Sequence, residues 1–318
     1  MSAKIFTRDQ ILAVLPQVDL VSQIAEGFAA YSAGKVEVPP VGELLFPDNR
    51  GELHIKHGAI KGEDRCVIKV ATGFFDNPTI GLPPFGGCML VLSQKTGAVE
   101  AVLLEDGELT NHRTAAAGAV AARYLAPKSI NGIGILGSGV QARLQADYLR
   151  QATDCRRVTL WARDTNKAGE AAADIVAFGF EVTVAGSVSE VCSNSELIVT
   201  TTPATSPLIM KDMVKPGTHI TAMGSDSPAK SELDPALLAA ADVVAVDSLS
   251  QCKGSGELHH ALDANRLSEK DVVELGDVIA ERASGRTSED GITIADLTGV
   301  AVQDIVIACA VLEKLEQN

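Results

Sequence analysis

The sequence predicts an α/β protein in which a doubly wound parallel sheet follows an α+β segment. The first observation concerns the chain after residue 126, where short apolar strands alternate with helical segments. Such alternation is typical of a parallel sheet covered by helices on both faces. The second concerns the first third of the chain, where strand patterns follow one another without helices between them. That order favours a mixed or antiparallel sheet. A chain of 318 residues is long enough for two domains.

Composition excludes several classes of partner. The chain carries 41 acidic and 27 basic side chains, a net charge of -14, which repels nucleic acid and anionic membranes alike. No apolar run approaches the ~20 residues of a membrane-spanning helix, and the first residues do not resemble a signal peptide. The six cysteines are scattered without CxxC pairs, and the six histidines form no metal-binding pattern. We therefore expect a cytoplasmic protein with reduced cysteines and no metal site.

The first third of the chain is punctuated by clear capping and turn residues. Thr7 and Asp19 are predicted to cap two helices, and Gly34 to end the second of them. A long alanine-rich helix is predicted to begin after Thr110 as its cap and to run to about Leu125. The predicted strands are Glu52–His57, Cys66–Thr72, Cys88–Ser93 and Val99–Leu104.

Beyond a hinge at Ala126–Ser129, short strands and helices alternate. The predicted strands are Gly132–Leu136, Val158–Trp161, Glu181–Val184, Leu197–Thr200, His219–Ala222 and Val243–Val246. The predicted helices include Gln141–Gln151, Asn166–Phe178 and a final amphipathic helix, Val300–Leu315, which follows an apolar stretch at Gly291–Ala295.

A glycine-rich turn marks a candidate dinucleotide site. The strand ending at Leu136 is followed by Gly-Ser-Gly and by a helix that starts near Val140, which fits GxGxx[GA] with alanine in the third small position. Glycines there let the backbone approach a pyrophosphate, which the helix N-terminus binds. The cofactor contacts predicted for this turn are Gly137, Ser138, Gly139, Val140 and Gln141. The alternative is a glycine turn that binds no ligand.

The residues that select NAD or NADP lie after the next strand, where the sequence has Ala162, Arg163 and Asp164. An acid at this place binds the ribose hydroxyls of NAD, whereas arginine suits the 2′-phosphate of NADP. Arg163 either binds that phosphate or stacks on adenine, and Asp164 either binds the ribose or caps the next helix. NAD is the predicted cofactor, and NADP is not excluded.

Arg113 is a candidate ligand for a substrate carboxylate. With Thr110 as the cap, it falls in the first turn of the helix, where the helix dipole disfavours a cation. A cation beside free helix amides makes a strong carboxylate site. The alternative is a surface arginine paired with Glu108 or Asp106.

Lys69 interrupts an apolar strand and is a candidate for proton transfer. Enclosure of its strand face would lower the lysine pKa towards a useful value, whereas an edge-strand lysine would merely extend into solvent. His54 and Lys56 share one face of the neighbouring strand with Glu52. They are candidates for a second substrate anion, or the solvated face of a sheet.

Asp226 follows the strand that ends near Met223. Ligands of open α/β sheets bind at the carboxyl edge of the strands, so Asp226 is a candidate site residue. It also fits an ordinary turn residue before Pro228.

Four motifs together resemble the ornithine cyclodeaminase/μ-crystallin family. They are VIKVATGFFDNPTIGLPPFGG, DGELTNHRTAAAGAVAARYLA, IGILGSGVQA and MGSDSPAKSEL, and the resemblance runs from about Val38 to Asp304. It implies a Rossmann domain, residues 127–294, inserted into a split domain, residues 1–126 plus 295–318, that binds substrate and forms a homodimer.

The resemblance also implies roles for individual residues. Lys69 and Asp226 are expected to handle protons, and Arg113 to hold the substrate carboxylate. Nicotinamide contacts are expected from Thr201, Thr202, Met223, Gly224 and Ser225.

One departure from the family pattern bears on the substrate. Cyclodeaminases carry an arginine shortly after the proline pair, whereas here Pro39 and Pro40 are followed by Val-Gly-Glu. PPVGEL and GELHIKHGAIKG look instead like the imine-reductase branch, which includes iminosuccinate reductases. The resemblance thus implies reduction of an α-imino acid by NAD(P)H, with iminosuccinate to L-aspartate as the first candidate. The alternatives are a cyclodeaminase with catalytic NAD and a non-catalytic NAD(P)-binding protein.

Overall fold

The computed structural model describes residues 3–317 and shows a mixed α/β fold with an extended parallel sheet. This confirms the predicted fold class. The strands are β1 Lys4–Phe6, β2 Val36–Glu37, β3 Gly42–Phe46, β4 Gly51–Ile60, β5 Arg65–Phe74, β6 Phe85–Ser93, β7 Val99–Leu103, β8 Ile133–Leu136, β9 Arg157–Trp161, β10 Glu181–Val184, β11 Leu197–Thr200, β12 Thr205–Ile209, β13 His219–Ala222, β14 Ser231–Leu233, β15 Val243–Val246, β16 Val272–Glu274 and β17 Thr293–Asp296. The helices are α1 Arg8–Val14, α2 Leu20–Ser32, α3 Glu108–Leu125, α4 Val140–Leu149, α5 Thr165–Ala177, α6 Val188–Ser193, α7 Pro235–Leu238, α8 Leu249–Cys252, α9 Gly256–Asp263, α10 Leu275–Ile279 and α11 Ala301–Gln317.

The chain forms two compact units. The first unit comprises the chain up to Arg113 and again from Ala301, and the second unit is Thr114–Val300. The domain limits predicted after residues 126 and 294 stay a proposal. The strand β17 crosses the second of these limits and belongs to the parallel sheet of the second unit.

The first unit is built on a mixed sheet, as predicted. Its strands follow the order β1-β7-β6-β5-β4-β2, with β3 also paired to β4. The β1–β7 pair is parallel, and the other pairs are antiparallel. The helix α11 packs against α2 and across β4, β5 and β6. This packing carries residues from the end of the chain to the middle of the sheet.

The predicted caps of α1 and α2 are confirmed, because Thr7 and Asp19 each accept a hydrogen bond from the first turn of their helix. The predicted start of α3 is wrong. This helix begins at Glu108, and the carboxylate of Glu105 accepts the backbone N–H of Leu109 at 2.8 Å. Arg113 consequently lies in the second turn of α3, away from the free amides of the helix start.

The second unit is a doubly wound parallel sheet with the strand order β10-β9-β8-β11-β13-β17-β15-β16. The order reverses between β8 and β11, where the chain crosses to the other half of the sheet. Both faces are covered, because alternate residues of β11 enter two different cores: Leu197 and Val199 pack in one, and Ile198 packs in the other. This burial explains why the inner strands β8, β11 and β15 are largely apolar runs that the sequence pattern predicts.

Within residues 3–317, no single helix is long and apolar enough to cross a membrane. One bent pair, Arg8–Gln17 with Leu20–Ser32, passes the same test on length and composition alone.

Candidate active site

Lys69 lies at the centre of the sheet of the first unit. It is on β5, directly opposite Lys56 of β4 and Met89 of β6. Its side chain is 2% exposed, and its Nζ lies 2.9 Å from Oδ1 of Asp304 on α11. Lys69 is thus enclosed by the helix that packs across the sheet, and the alternative of an edge lysine extending into solvent is wrong.

Arg113 converges on the same carboxylate. Its Nε lies 3.2 Å from Asp304 Oδ1, and its Nη1 donates a hydrogen bond to Oε1 of Gln303 at 2.9 Å. Arg113 is 7% exposed, so the alternative of a surface arginine paired with Glu108 or Asp106 is wrong. We name Lys69, Arg113, Gln303 and Asp304 the lysine cluster.

The electrostatics of the lysine cluster favour proton transfer. Burial lowers the pKa of Lys69 to about 7, helped by Arg113 and Lys56, while Asp304 opposes the fall. Burial also acts to raise the pKa of Asp304, but Lys69 and Arg113 outweigh it and hold that pKa below its ordinary value. The arrangement is therefore an ionised carboxylate beside a lysine able to gain or lose a proton near neutral pH.

Two buried carboxylate oxygens of the first unit have no hydrogen-bond partner among the described residues. They are Oδ2 of Asp304 and Oε1 of Glu105. Glu105 is 1% exposed, and burial raises its pKa. Buried polar atoms are normally satisfied, so these oxygens mark places where a ligand donor would be stabilised.

His54 and Lys56 differ in their surroundings, although both are half-buried on β4. The ring nitrogens of His54 lie 3.8 Å from Glu43 Oε1 and 3.7 Å from Glu52 Oε1. Lys56 is paired in register with Lys69 and lowers the pKa of that lysine. Lys56 therefore adds positive charge beside the lysine cluster, whereas the groups next to His54 are two glutamates.

In the second unit, the glycine turn after β8 has the geometry of a dinucleotide site. Gly137 has φ +127°, and an added Cβ would lie 2.3 Å from Oγ1 of Thr201, so both the backbone angle and the space require glycine. Gly139 is the N-cap of α4, with no side-chain hydrogen bond to the helix and open space where a Cβ would be. Val140 is 44% exposed, and Ser138 and Gln141 are half-buried. The start of α4 thus faces open space at Gly139, where the first amides of a helix can bind an anion.

The turn after β9 contains the two residues considered for cofactor selection. Asp164 caps α5, since its carboxylate accepts the N–H groups of Asn166 at 3.0 Å and Lys167 at 3.2 Å. Arg163 is exposed. The capping role of Asp164 is therefore real, and its contact with a ribose remains a prediction.

The residues predicted to contact nicotinamide follow the strands β11 and β13. Thr201 donates its hydroxyl to the carbonyl of Leu136 at 2.9 Å, and thereby ties the end of β11 to that of β8. The N–H groups of Thr202 and Gly224 both donate to Glu232. Met223 and Gly224 are half-buried, and Ser225 is buried, with its hydroxyl donating to the carbonyl of Lys230.

Asp226 belongs to the second unit, whereas Lys69 belongs to the first. It is exposed and lies 2.6 Å from Nζ of Lys230 in an ion pair. Its role in proton handling remains a prediction.

Sequence reasoning missed Asp304, Gln303 and Glu232. A signal for the first two was present, since they are polar residues inside the otherwise apolar start of α11. Glu232 lay within the motif MGSDSPAKSEL, but nothing in its spacing indicated burial. Across residues 3–317, no group of three or more His, Cys, Asp or Glu side chains could hold a metal ion.

Comparison with known proteins identifies the family of this chain. The model of the ornithine cyclodeaminase/mu-crystallin family matches residues 3–318. The chain belongs to this family. Among curated members of similar sequence, a putative dehydrogenase of Rhizobium meliloti is 44% identical over 308 residues, covering 96% of this chain and 93% of its own. An alanine dehydrogenase of Archaeoglobus fulgidus is 34% identical over 316 residues, covering 98% and 95%. An iminosuccinate reductase of Paracoccus denitrificans is 38% identical over 205 residues, covering 64% and 63%.

Two solved structures match nearly the whole chain. An archaeal alanine dehydrogenase, described as a dimer with bound NAD, has a TM-score of 0.91 at 32% identity and covers 100% of this chain and 97% of its own. The iminosuccinate reductase of Paracoccus denitrificans in complex with NAD⁺ has a TM-score of 0.90 at 30% identity, covering 99% and 97%.

Proposed function

We propose that the protein is an NAD-dependent oxidoreductase that reduces an α-imino acid to an L-amino acid. The observation that carries this proposal is the buried lysine cluster, in which a lysine with a pKa of about 7 shares one carboxylate with an arginine. It occurs in a chain whose second unit has a dinucleotide-binding turn. Relatives named as an alanine dehydrogenase and an iminosuccinate reductase act at the same kind of carbon–nitrogen bond.

The second unit fits NAD. The cradle at Gly137 and Gly139 leaves space for a pyrophosphate at the start of α4: the backbone angle and the nearby Thr201 require glycine at 137, and the open space at Gly139 would let a ligand approach. Gly137, Ser138, Gly139, Val140 and Gln141 would hold the pyrophosphate. Thr201, Thr202 and the segment Met223–Ser225 would hold the nicotinamide half. When bound, NADH supplies the hydride that the imine carbon accepts.

The first unit would hold and protonate the substrate. Arg113 offers a guanidinium for the α-carboxylate, and its contacts with Asp304 and Gln303 fix the orientation of that guanidinium. Lys69 supplies the proton that the substrate nitrogen gains when the double bond is reduced. Asp304 Oδ1 holds the ammonium in place, while Oδ2 remains an acceptor for an N–H of the substrate. Asp226 is kept as a second candidate for proton handling.

We further propose iminosuccinate as the substrate and L-aspartate as the product. A dicarboxylate needs two cationic contacts, and Arg113 supplies one of them. Lys56, in register with Lys69, is the favoured second contact, and His54 is the weaker candidate because two glutamates surround it.

The test follows absorbance of NADH with a panel of imino acids formed from oxo acids and ammonia. Net consumption of NADH with formation of an amino acid supports the reductase. Loss of ammonia from a diamino acid without net change in NADH would instead indicate a cyclodeaminase. Tight binding of NADH without product from any imine would indicate a non-catalytic binding protein.

A homodimer in the cytoplasm completes the proposal. The first unit exposes large apolar side chains at one end of its sheet, which favours a protein partner there. These side chains are Leu44, Leu45, Ile80, Leu82 and Phe85. Analytical ultracentrifugation should give twice the chain mass, and replacing Leu44 and Leu45 by arginine should yield monomer.

A further inference from the structure

Glu232 joins two loops of the second unit through a single carboxylate. It lies on β14 and is 0% exposed. Its Oε1 accepts the N–H of Thr202 at 2.7 Å and the Thr202 hydroxyl at 2.6 Å. Its Oε2 accepts the hydroxyl of Thr200 at 2.6 Å and the N–H of Gly224 at 2.8 Å. The segment after β11 and the segment after β13 are thereby held to the same side chain.

The contacts indicate that this carboxylate is ionised. Each of its oxygens accepts one backbone N–H, which can only donate, and one hydroxyl, so both oxygens act as acceptors. The two hydroxyl contacts of 2.6 Å have the length of hydrogen bonds to a charged acceptor. Burial raises the pKa of Glu232 above its ordinary value, and the hydrogen bonds from Thr200 and Thr202 limit that rise. The backbone around Glu232 is fixed as well, because Glu257 accepts its N–H at 2.7 Å.

The strand order places these loops beside one half of the cofactor. The ribose of the adenosine half is bound after the second strand of such a sheet, which here is β9 with Arg163. The dinucleotide then crosses the reversal point between β8 and β11. The ends of β11 and β13 would therefore hold the nicotinamide half.

We infer that Glu232 is a positioning residue that fixes the two loops that would hold the nicotinamide half, and that its negative charge favours the oxidised cofactor. This inference rests on the proposed function, since it requires that the second unit bind NAD. The oxidised nicotinamide ring carries a positive charge that the reduced ring lacks. A buried carboxylate next to its binding loops thus stabilises NAD⁺ more than NADH.

The experiment measures dissociation constants of NADH and NAD⁺ separately, by fluorescence and calorimetry, for the full chain. Glu232→Gln should weaken NAD⁺ binding by about tenfold or more, because a buried donor is left unpaired and the charge is lost. It should weaken NADH binding less, so that the ratio of the two constants changes. Thr202→Val keeps the charge and removes one contact, and should weaken both cofactors equally. Glu232→Asp keeps the charge and should preserve the ratio.

The matched control is Glu196→Gln. Glu196 also joins two backbone N–H groups, those of Asn131 and Gly132, but at the amino edge of the parallel sheet. It should leave both constants unchanged. Unchanged constants in Glu232→Gln, or equal weakening of both cofactors, would overturn the inference. If that variant does not fold, wild-type affinity for NADH in both Thr202→Val and Glu232→Asp overturns it. A wild-type chain that binds neither cofactor refutes the proposed function itself.

Discussion

A single buried carboxylate, that of Asp304, contacts both cations of the lysine cluster. The sequence singled out Lys69 because it is a cation inside an apolar strand, and Arg113 because of a first-turn position that the structure does not show. Asp304 was not singled out, because it lies 235 residues from Lys69 along the chain and only the packing of α11 on the sheet joins them. The positional argument for Arg113 also changed: its partner is Asp304 and not the helix start. The burial of Lys69 thus followed from its place in an apolar strand, whereas the partners of both cations came only from the packing of α11.

Removing the Lys69 ammonium should abolish proton transfer while leaving the dinucleotide turn intact. Lys69→Ala is expected to lower kcat by about 10²–10⁴, the usual contribution of general acid–base catalysis. The dissociation constant of NADH should stay unchanged, since Lys69 belongs to the first unit. Steady-state kinetics and NADH fluorescence measure the two effects. The control is Lys61→Ala, which removes an exposed lysine paired with Glu37. A wild-type kcat in Lys69→Ala would exclude Lys69 from the mechanism.

The pH dependence of reduction should follow the ionisation of Lys69. As an acid, Lys69 must be protonated, so imine reduction should decline as the pH rises through about 7. Burial lowers the Lys69 pKa and Asp304 raises it. Asp304→Asn therefore lowers that pKa further and should move the decline to lower pH. The measurement is kcat/KM against pH for both proteins, with Asp174→Asn, an exposed ion-pair residue, as control. A decline at the same or a higher pH would contradict the assignment.

At the scale of the elements, strands were predicted better than helix ends. The strands Glu181–Val184, Leu197–Thr200, His219–Ala222 and Val243–Val246 agree with the structure residue for residue. Leu197–Thr200 and Val243–Val246 are largely apolar and buried, as inner parallel strands are, whereas Glu181–Val184 is a mostly exposed edge strand. The start of α3 was misplaced because a glutamate from the preceding loop takes the place of a serine or threonine cap. The sequence showed β17 only as an apolar stretch. Its place between β13 and β15 could not be predicted, because both strands precede it by many residues along the chain.

The two glycines of the turn after β8 should respond differently to alanine. An added Cβ at Gly139 meets no atom of the chain within 4 Å, so Gly139→Ala should keep the melting temperature of the free protein. It should nevertheless weaken NADH binding by about tenfold or more, because the methyl group occupies the approach of the pyrophosphate. Gly137→Ala should lower both the melting temperature and the affinity for NADH, since its Cβ would lie 2.3 Å from Oγ1 of Thr201. Thermal unfolding and NADH titration separate these effects. The control is Gly169→Ala, on α5 with open space around it, which should lower neither the affinity for NADH nor the melting temperature. Full NADH affinity in Gly139→Ala would refute a pyrophosphate at this turn.

At the scale of the whole molecule, the distribution of charge matters more than its sum. The chain has a net charge of -14, yet Lys56, Lys69 and Arg113 gather around the carboxylate of Asp304. Like charges directly opposite one another on neighbouring strands destabilise a sheet. The Lys56–Lys69 pair is such an opposition, and the fall in the Lys69 pKa is partly its consequence. A local cationic site in an acidic protein is consistent with a small anionic substrate, and net charge alone would not have indicated it.

The same charge distribution predicts which substrate loses most when Lys56 is removed. If Lys56 binds the second carboxylate of iminosuccinate, Lys56→Met should lower kcat/KM for that substrate by roughly 10- to 100-fold, the usual cost of a hydrogen bond to a charged group. The imine of pyruvate has one carboxylate, so it should be affected far less. Methionine keeps much of the length and apolar contact of the lysine stem, which limits structural disturbance.

The kinetics of Lys56→Met on both imines should be compared with those of His54→Gln and Lys61→Met. His54→Gln tests the other candidate of the same strand face, and the glutamates beside that histidine predict that it changes little. Lys61→Met removes an exposed lysine just beyond the end of β4, and should leave both substrates unaffected. A selective loss in His54→Gln would transfer the second contact to His54. Equal losses on both substrates in Lys56→Met and His54→Gln would leave a monocarboxylic imino acid as the substrate, because no cation of β4 would then distinguish one carboxylate from two.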